Sequence, residues 1–200
     1  MSRALRLSRR IVAALLLIVG GCAESPPTEF YTLSVMQLPP AGVSTPRTVV
    51  GVGPVTLPDY LDRPQIVTRA SGNRMMLAGF DAWVEPMDGM FTRVLVENLS
   101  SLLATDNVVS LPQLRPTPLD YQVEVDVTRF DADHSGRAVL DARWRVFGED
   151  GNRLIQEGRS TIVEPATGPD SYEDIVAAMS RALGQMSRAI AATIEQNRSG

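Results

Sequence analysis

Leu119-Asp120-Tyr121-Gln122-Val123-Glu124-Val125-Asp126-Val127-Thr128 alternates apolar and polar side chains without a break. A period of two marks a half-buried strand, with Leu119, Tyr121, Val123, Val125 and Val127 on the core face. Ala138 to Val146 also alternates, its inward set being Ala138, Leu140, Ala142, Trp144 and Val146. Laid antiparallel with Val125 opposite Trp144, the two strands put Asp126 opposite Arg143 and Glu124 opposite Arg145. Opposite charges facing each other favour a register by roughly 0.2–1 kcal/mol per pair. A shift of two residues would instead set Asp126 against Asp141. The sequence therefore predicts a hairpin whose loop is Asp131 to Arg137. Glu149-Asp150-Gly151 makes the next turn and feeds a strand from Arg153 to Val163. A three-residue turn there sets Leu154 across from Val146.

Outward from this hairpin, both flanks carry a helix. Met87, Met90, Phe91, Val94, Leu95, Leu99, Leu102 and Leu103 recur at helical spacing behind Glu85-Pro86, a stripe suited to core packing. Pro86 falls at the helix start, where its missing N–H costs nothing. A final helix opens at Ser171, whose hydroxyl is placed to cap it. Its buried stripe is Tyr172, Ile175, Val176, Met179, Leu183, Met186, Ile190 and Ile194. Short strands are expected at Phe30–Val35, Thr48–Val55, Gln65–Arg69 and Arg74–Ala78, with Ser71-Gly72-Asn73 as a turn. Pro39–Pro46 reads as loop, and Val108–Leu111 as a short apolar segment. The order is strands, helix, strands, helix. The expected class is α+β: a mostly antiparallel sheet of short strands with two amphipathic helices packed on it.

The amino terminus is of a different kind. Arg3, Arg6, Arg9 and Arg10 precede an unbroken apolar run, Ile11–Val19. That run is far short of the ~20 residues a spanning helix needs, so it reads as a removable leader. Val19-Gly20-Gly21-Cys22 holds the only cysteine and resembles the bacterial lipobox, in which the thiol is acylated and becomes the first mature residue. The expected organisation is a signal peptide over 1–21, an acylated cysteine and tether over 22–29, and one domain over 30–200. Lipoproteins of this kind that stay in the inner membrane usually carry Asp after the cysteine. Ala23 here implies the periplasmic face of the outer membrane.

Loss of the leader removes four arginines and no acid, moving the net charge from −4 to −8. Such a surface disfavours nucleic acid as a partner. With one histidine and no second cysteine, a transition-metal site is not expected. The covalent acyl and diacylglycerol groups on Cys22 are the only non-protein chemistry foreseen. Asp131, Asp133, His134 and Ser135 cluster in the hairpin loop, but a calcium loop would need a glutamate where Ala142 stands. Without a Gly-x-Ser-x-Gly elbow or a third glycine after Gly51-Val52-Gly53, neither a hydrolase nor a dinucleotide site is indicated. No catalytic residue is assigned.

Leu57-Pro58-Asp59-Tyr60-Leu61-Asp62-Arg63-Pro64-Gln65-Ile66-Val67 stands apart as a stiff, polar loop. It either offers Tyr60, Leu61 and Arg63 to a partner or folds Tyr60 and Leu61 under as a plug. On the first reading, Tyr60→Ala and Arg63→Ala weaken partner binding and leave thermal stability nearly unchanged. This segment, with Phe30-Tyr31-Thr32-Leu33, Trp83-Val84-Glu85-Pro86-Met87 and Arg93-Val94-Leu95-Val96-Glu97-Asn98-Leu99, resembles the ABC-type transport auxiliary lipoproteins, the PqiC-like family. The resemblance spans nearly the whole mature chain, with one departure. The residue before the tryptophan is usually arginine, and here it is Ala82.

The resemblance implies a non-enzymatic docking subunit of an envelope lipid-transport machine. Its implied partners are a mammalian-cell-entry (MCE) protein and the associated inner-membrane permease and ATPase. Ring-shaped partners of this type make a homo-oligomer one implied arrangement. The candidate partner-binding residues are Tyr60, Leu61, Asp62, Arg63, Gln65 and Trp83. A domain of this length has a radius of gyration of about 16 Å, so it cannot bridge two membranes from a short tether. Two other readings are a carrier with a lipid in an internal cavity and a structural lipoprotein that binds the cell wall.

Overall fold

The protein is described by a computed structural model covering residues 25–37, 48–113, 117–148 and 151–198. The expected leader, Cys22, the whole Pro39–Pro46 loop and Glu149-Asp150 lie outside the described residues. The elements are β1 (Glu29–Tyr31), β2 (Val50–Thr56), β3 (Gln65–Ser71), β4 (Arg74–Trp83), α1 (Met87–Leu103), β5 (Val108–Ser110), β6 (Tyr121–Asp133), β7 (Arg137–Gly148), β8 (Arg153–Pro165) and α2 (Tyr172–Arg198). A 3-10 turn, Asp59–Leu61, lies between β2 and β3. The chain is α+β, as expected.

The expected β6–β7 register is the one formed: Glu124, Val125 and Asp126 face Arg145, Trp144 and Arg143. Arg145 reaches Glu124 at 2.8 Å. Val123, Val125 and Val127 are buried beneath the helices. After Val127 the register slips, a bulge that bends the strand and re-aims its side chains. Phe130 thereby turns inward and meets Phe91 of α1 edge-on, ring centroids 5.3 Å apart. β6 then continues through Asp133, so the loop is shorter than Asp131–Arg137. Asp131 is fully buried in the strand rather than solvated at a tip.

The β7–β8 register differs from the expected one. Phe147, not Val146, faces Leu154, and Val146 faces Gln156 across another slip. The extra residue is Ile155, which packs against the core while Leu154 is left exposed. Parallel pairings also enter: β1 with β4, β3 with β6, and β2 with both β5 and β6. β3–β4, β6–β7 and β7–β8 are antiparallel, and the last two are the longest ladders. β7 takes one edge of β6 throughout. The other edge is shared, β2 pairing along Tyr121–Asp126 and β3 at Ala132–Asp133.

Both helices cover the inner face, α2 on β6, β7 and β8, and α1 on β2, β5 and α2. The expected stripes are buried, save Leu102 and Tyr172, which are half-buried. Ser171 caps α2 by accepting a bond from the Asp174 N–H at 3.2 Å. β1 is shorter than the predicted Phe30–Val35 strand, and Glu29 already belongs to it rather than to the tether. Beyond it, residues 32–37 form a strap without regular secondary structure, three of whose N–H groups bond helix side chains. Leu33 donates to Met90 Sδ, Ser34 to Ser180 Oγ and Met36 to Asn98 Oδ1, at 3.2, 3.0 and 2.8 Å. Buried Asn98 also donates to Ser187 Oγ, so the polar residues inside the helix seam are satisfied.

Candidate functional site

The Leu57–Val67 segment fills the interval on the β6 edge between β2 and β3. There the strand leaves backbone groups that no neighbouring strand pairs, and a buried N–H without a partner is costly. The Phe130 N–H donates to Tyr60 Oη at 3.2 Å, and the same hydroxyl donates to Asp131 Oδ2 at 3.0 Å. Arg69 bonds Asp131 Oδ2 at 3.0 Å and Arg129 bonds Oδ1 at 2.9 Å. One fully buried carboxylate is thus held by two guanidinium groups and a phenol. Burial, with Asp131 alongside, pushes the Tyr60 phenol up to about 12.

The turn is closed by Leu61 and Asp62 N–H groups donating to the Pro58 and Asp59 carbonyls. At its far end the Trp83 N–H donates to the Pro64 carbonyl at 2.6 Å, and Gln65 pairs with Ala82. These contacts separate the candidate residues into two groups. Tyr60 and Leu61 fold under as the plug: Leu61 is buried and Tyr60 half-buried. Trp83 is buried in the main core, so its indole is not offered to a partner. Gln65 is half-buried, whereas Asp62 and Arg63 are exposed. Among the described residues Arg63 makes no ion pair. The expectation that Tyr60→Ala leaves stability unchanged is corrected, because its hydroxyl serves two buried groups. Cys22 lies outside the described residues.

Asp131, Arg69 and Arg129 were missed as a set. One signal was legible: strict alternation beyond Val127 sends Arg129 inward and Phe130 out, which burial physics forbids without a bulge. The neighbouring loop cluster has a structural explanation. Asp133 Oδ1 accepts from the Ser135 and Arg137 N–H groups and the Ser135 hydroxyl, and Oδ2 from Arg137 Nε. Burial would raise the Asp133 carboxyl, but these bonds outweigh it and hold it well below the usual range. Both oxygens serve their own turn, and His134 is exposed beside it. Among the described residues no group of three or more His, Cys, Asp or Glu is placed to hold a metal ion. Nor is any helix among them long and apolar enough to cross a membrane.

Beside the 3-10 turn opens a cleft of about 320 Å³, with Val55, Leu57, Leu61 and Met87 in its lining and Asp59, Asp62 and Asp88 among them. Exposed Asp62 and Arg63 stand at or next to it, on a loop fixed by the buried cluster behind.

Comparison with known proteins places this architecture. The Escherichia coli intermembrane transport lipoprotein PqiC is 25% identical over 192 residues, covering 95% of this chain and 99% of that protein. A crystal structure of an uncharacterized protein superposes with a TM-score of 0.69 at 24% identity, covering 84% of this chain and 99% of the other. A Xanthomonas campestris crystal structure follows at 0.65 and 17% identity, covering 86% and 100%. These two show the shared fold. The sequence signature of the ABC-type transport auxiliary lipoprotein component matches residues 31–191, and the chain belongs to that family.

Proposed function

We propose that the chain is a docking subunit of an MCE-type intermembrane lipid transport system, acylated at Cys22 and held on the periplasmic face of the outer membrane. The observation that carries this reading is family membership across residues 31–191, together with likeness over nearly full length to a lipoprotein named for intermembrane transport. The interior favours docking over carriage. Phe91, Phe130, Leu140, Met179, Leu183 and Met186 fill the space between sheet and helices, where a carrier would need room for acyl chains. The role is binding, not catalysis.

The Asp62–Arg63 rim of the acidic cleft is the docking surface. Its backbone is fixed before the partner arrives, so little conformational entropy is lost on contact. Apolar lining with carboxylates suits a partner segment that presents basic and apolar side chains. Crosslinking in cells followed by affinity purification tests the reading. Recovery of an MCE protein with its permease and ATPase supports it. Recovery of the acylated chain without any MCE protein refutes docking, and retention of the chain by purified peptidoglycan would favour the cell-wall reading.

A further inference from the structure

The β1–β4 edge carries an apolar ribbon on the face turned away from the core. Tyr31 and Trp83 are register partners that point inward, Trp83 into the main core and Tyr31 against it. Alternation sends Phe30, its partner Ala82, and Val84 beyond it to the opposite face, and Phe80 lies just before them, where the β3–β4 register slips. Phe30, Phe80 and Val84 are 66%, 45% and 60% exposed. Ala82 is covered yet is no part of the main core cluster. The Val84 N–H donates to the Tyr31 carbonyl at 3.0 Å and fixes the ribbon to the sheet.

Single exposed apolar residues are ordinary, but several together mark a contact surface. What covers this one follows from where the chain leaves it. Phe30 is the second residue of β1, and the seven residue steps from Cys22 to Glu29 reach at most ~25 Å. A chain anchored at Cys22 keeps this edge within that distance of its own membrane. We propose that the Phe30–Phe80–Val84 ribbon rests on the lipid surface carrying the acylated cysteine and so sets the orientation of the body. The inference rests on the anchoring reading above. Glu29 and Asp81 lie on the Tyr31 face, both within 3.0 Å of Tyr31 Oη, and the ribbon itself carries no charged side chain. The contact is therefore apolar rather than a charge attraction to anionic lipid, and it persists at high salt.

The test uses the acylated mature chain in phosphatidylethanolamine–phosphatidylglycerol vesicles. Acylation consumes the Cys22 thiol, leaving an introduced cysteine as the single site for an environment-sensitive fluorophore. Phe80→Cys and Val84→Cys are compared with Val163→Cys, a position 50% exposed on β8. The expected result is blue-shifted emission, quenched by spin-labelled lipid, at 80 and 84 but not at 163, unchanged in 1 M salt and abolished by Ala82→Arg. Vesicle-bound protein with water-like emission at all three sites overturns the orientation alone. A chain that fails to float with vesicles overturns the anchoring and the orientation with it. Shielding at 80 that survives in a vesicle-free Cys22→Ser chain identifies a second copy as the occupant and overturns the lipid contact.

Discussion

Tyr60→Phe isolates one oxygen atom and asks how much of the fold depends on it. The substitution removes the phenol's bond to Asp131 and leaves the Phe130 N–H without its acceptor. A hydrogen bond to a charged group contributes about 1.5–3 kcal/mol, and a buried donor left unpaired costs about 1–3 kcal/mol. Tyr60 is half-buried, so water softens both effects and the lower ends apply, about 2–3 kcal/mol together. For a domain of this size each kcal/mol moves the melting temperature by about 2–4 °C. The expected drop is therefore about 5–10 °C by calorimetry on the mature chain. Alkali gives an independent signature. The folded phenol sits at about 12, above an unfolded value of about 10. Its contribution is complete below the unfolded value and is lost as pH rises through the folded one. Wild type should lose stability across that window more steeply than Tyr60→Phe. A melting temperature within 1–2 °C of wild type, or parallel alkaline limbs, would refute the plug account; that threshold is about the shift expected for 0.5 kcal/mol.

Other expectations follow from single positions. Arg63→Ala should leave melting unchanged within about 0.5 kcal/mol and weaken crosslinking to the MCE partner; a large thermal loss with crosslinking intact would contradict its surface role. Ala104 closes α1 in the left-handed region at φ 50°, so Ala104→Gly should stabilise by about 0.5–1 kcal/mol in urea unfolding; destabilisation would contradict the cap geometry. A β-carbon at Gly158 would overlap the Trp144 ring, and Gly158→Ala should cost about 1–3 kcal/mol, with quenching changes in tryptophan emission. Asp133 has a lowered folded pKa, so its contribution is present above the unfolded value of about 3.9 and is lost as pH falls further; Asp133→Asn should flatten that part of the acid melting curve.

The parts of this fold visible in the sequence are those set by local periodicity. The β6–β7 register followed from the alternation of Val123, Val125 and Val127 and from the charge pairs beside Trp144. Both helical stripes and the Ser171 cap were likewise local signals. What escaped depends on long-range partners. β2 and β3 line up along one edge of β6, a parallel arrangement that no spacing within either strand encodes. The strap at 32–37 escaped because its donors are met by Ser180 and Asn98, far away in the chain. Leu154 was misplaced because a bulge at Ile155 carries no distinctive residue. At the candidate site the segment was found, but Tyr60 could not be sorted from Arg63 without Asp131, a partner 71 positions on.

A photo-crosslinking residue placed at Arg63 in the acylated chain, with Val163 as the control position, probes the docking claim in living cells. The account predicts that an MCE protein is captured from position 63 and not from 163. Capture of that protein equally from both positions, or from neither while the chain remains anchored, would contradict it.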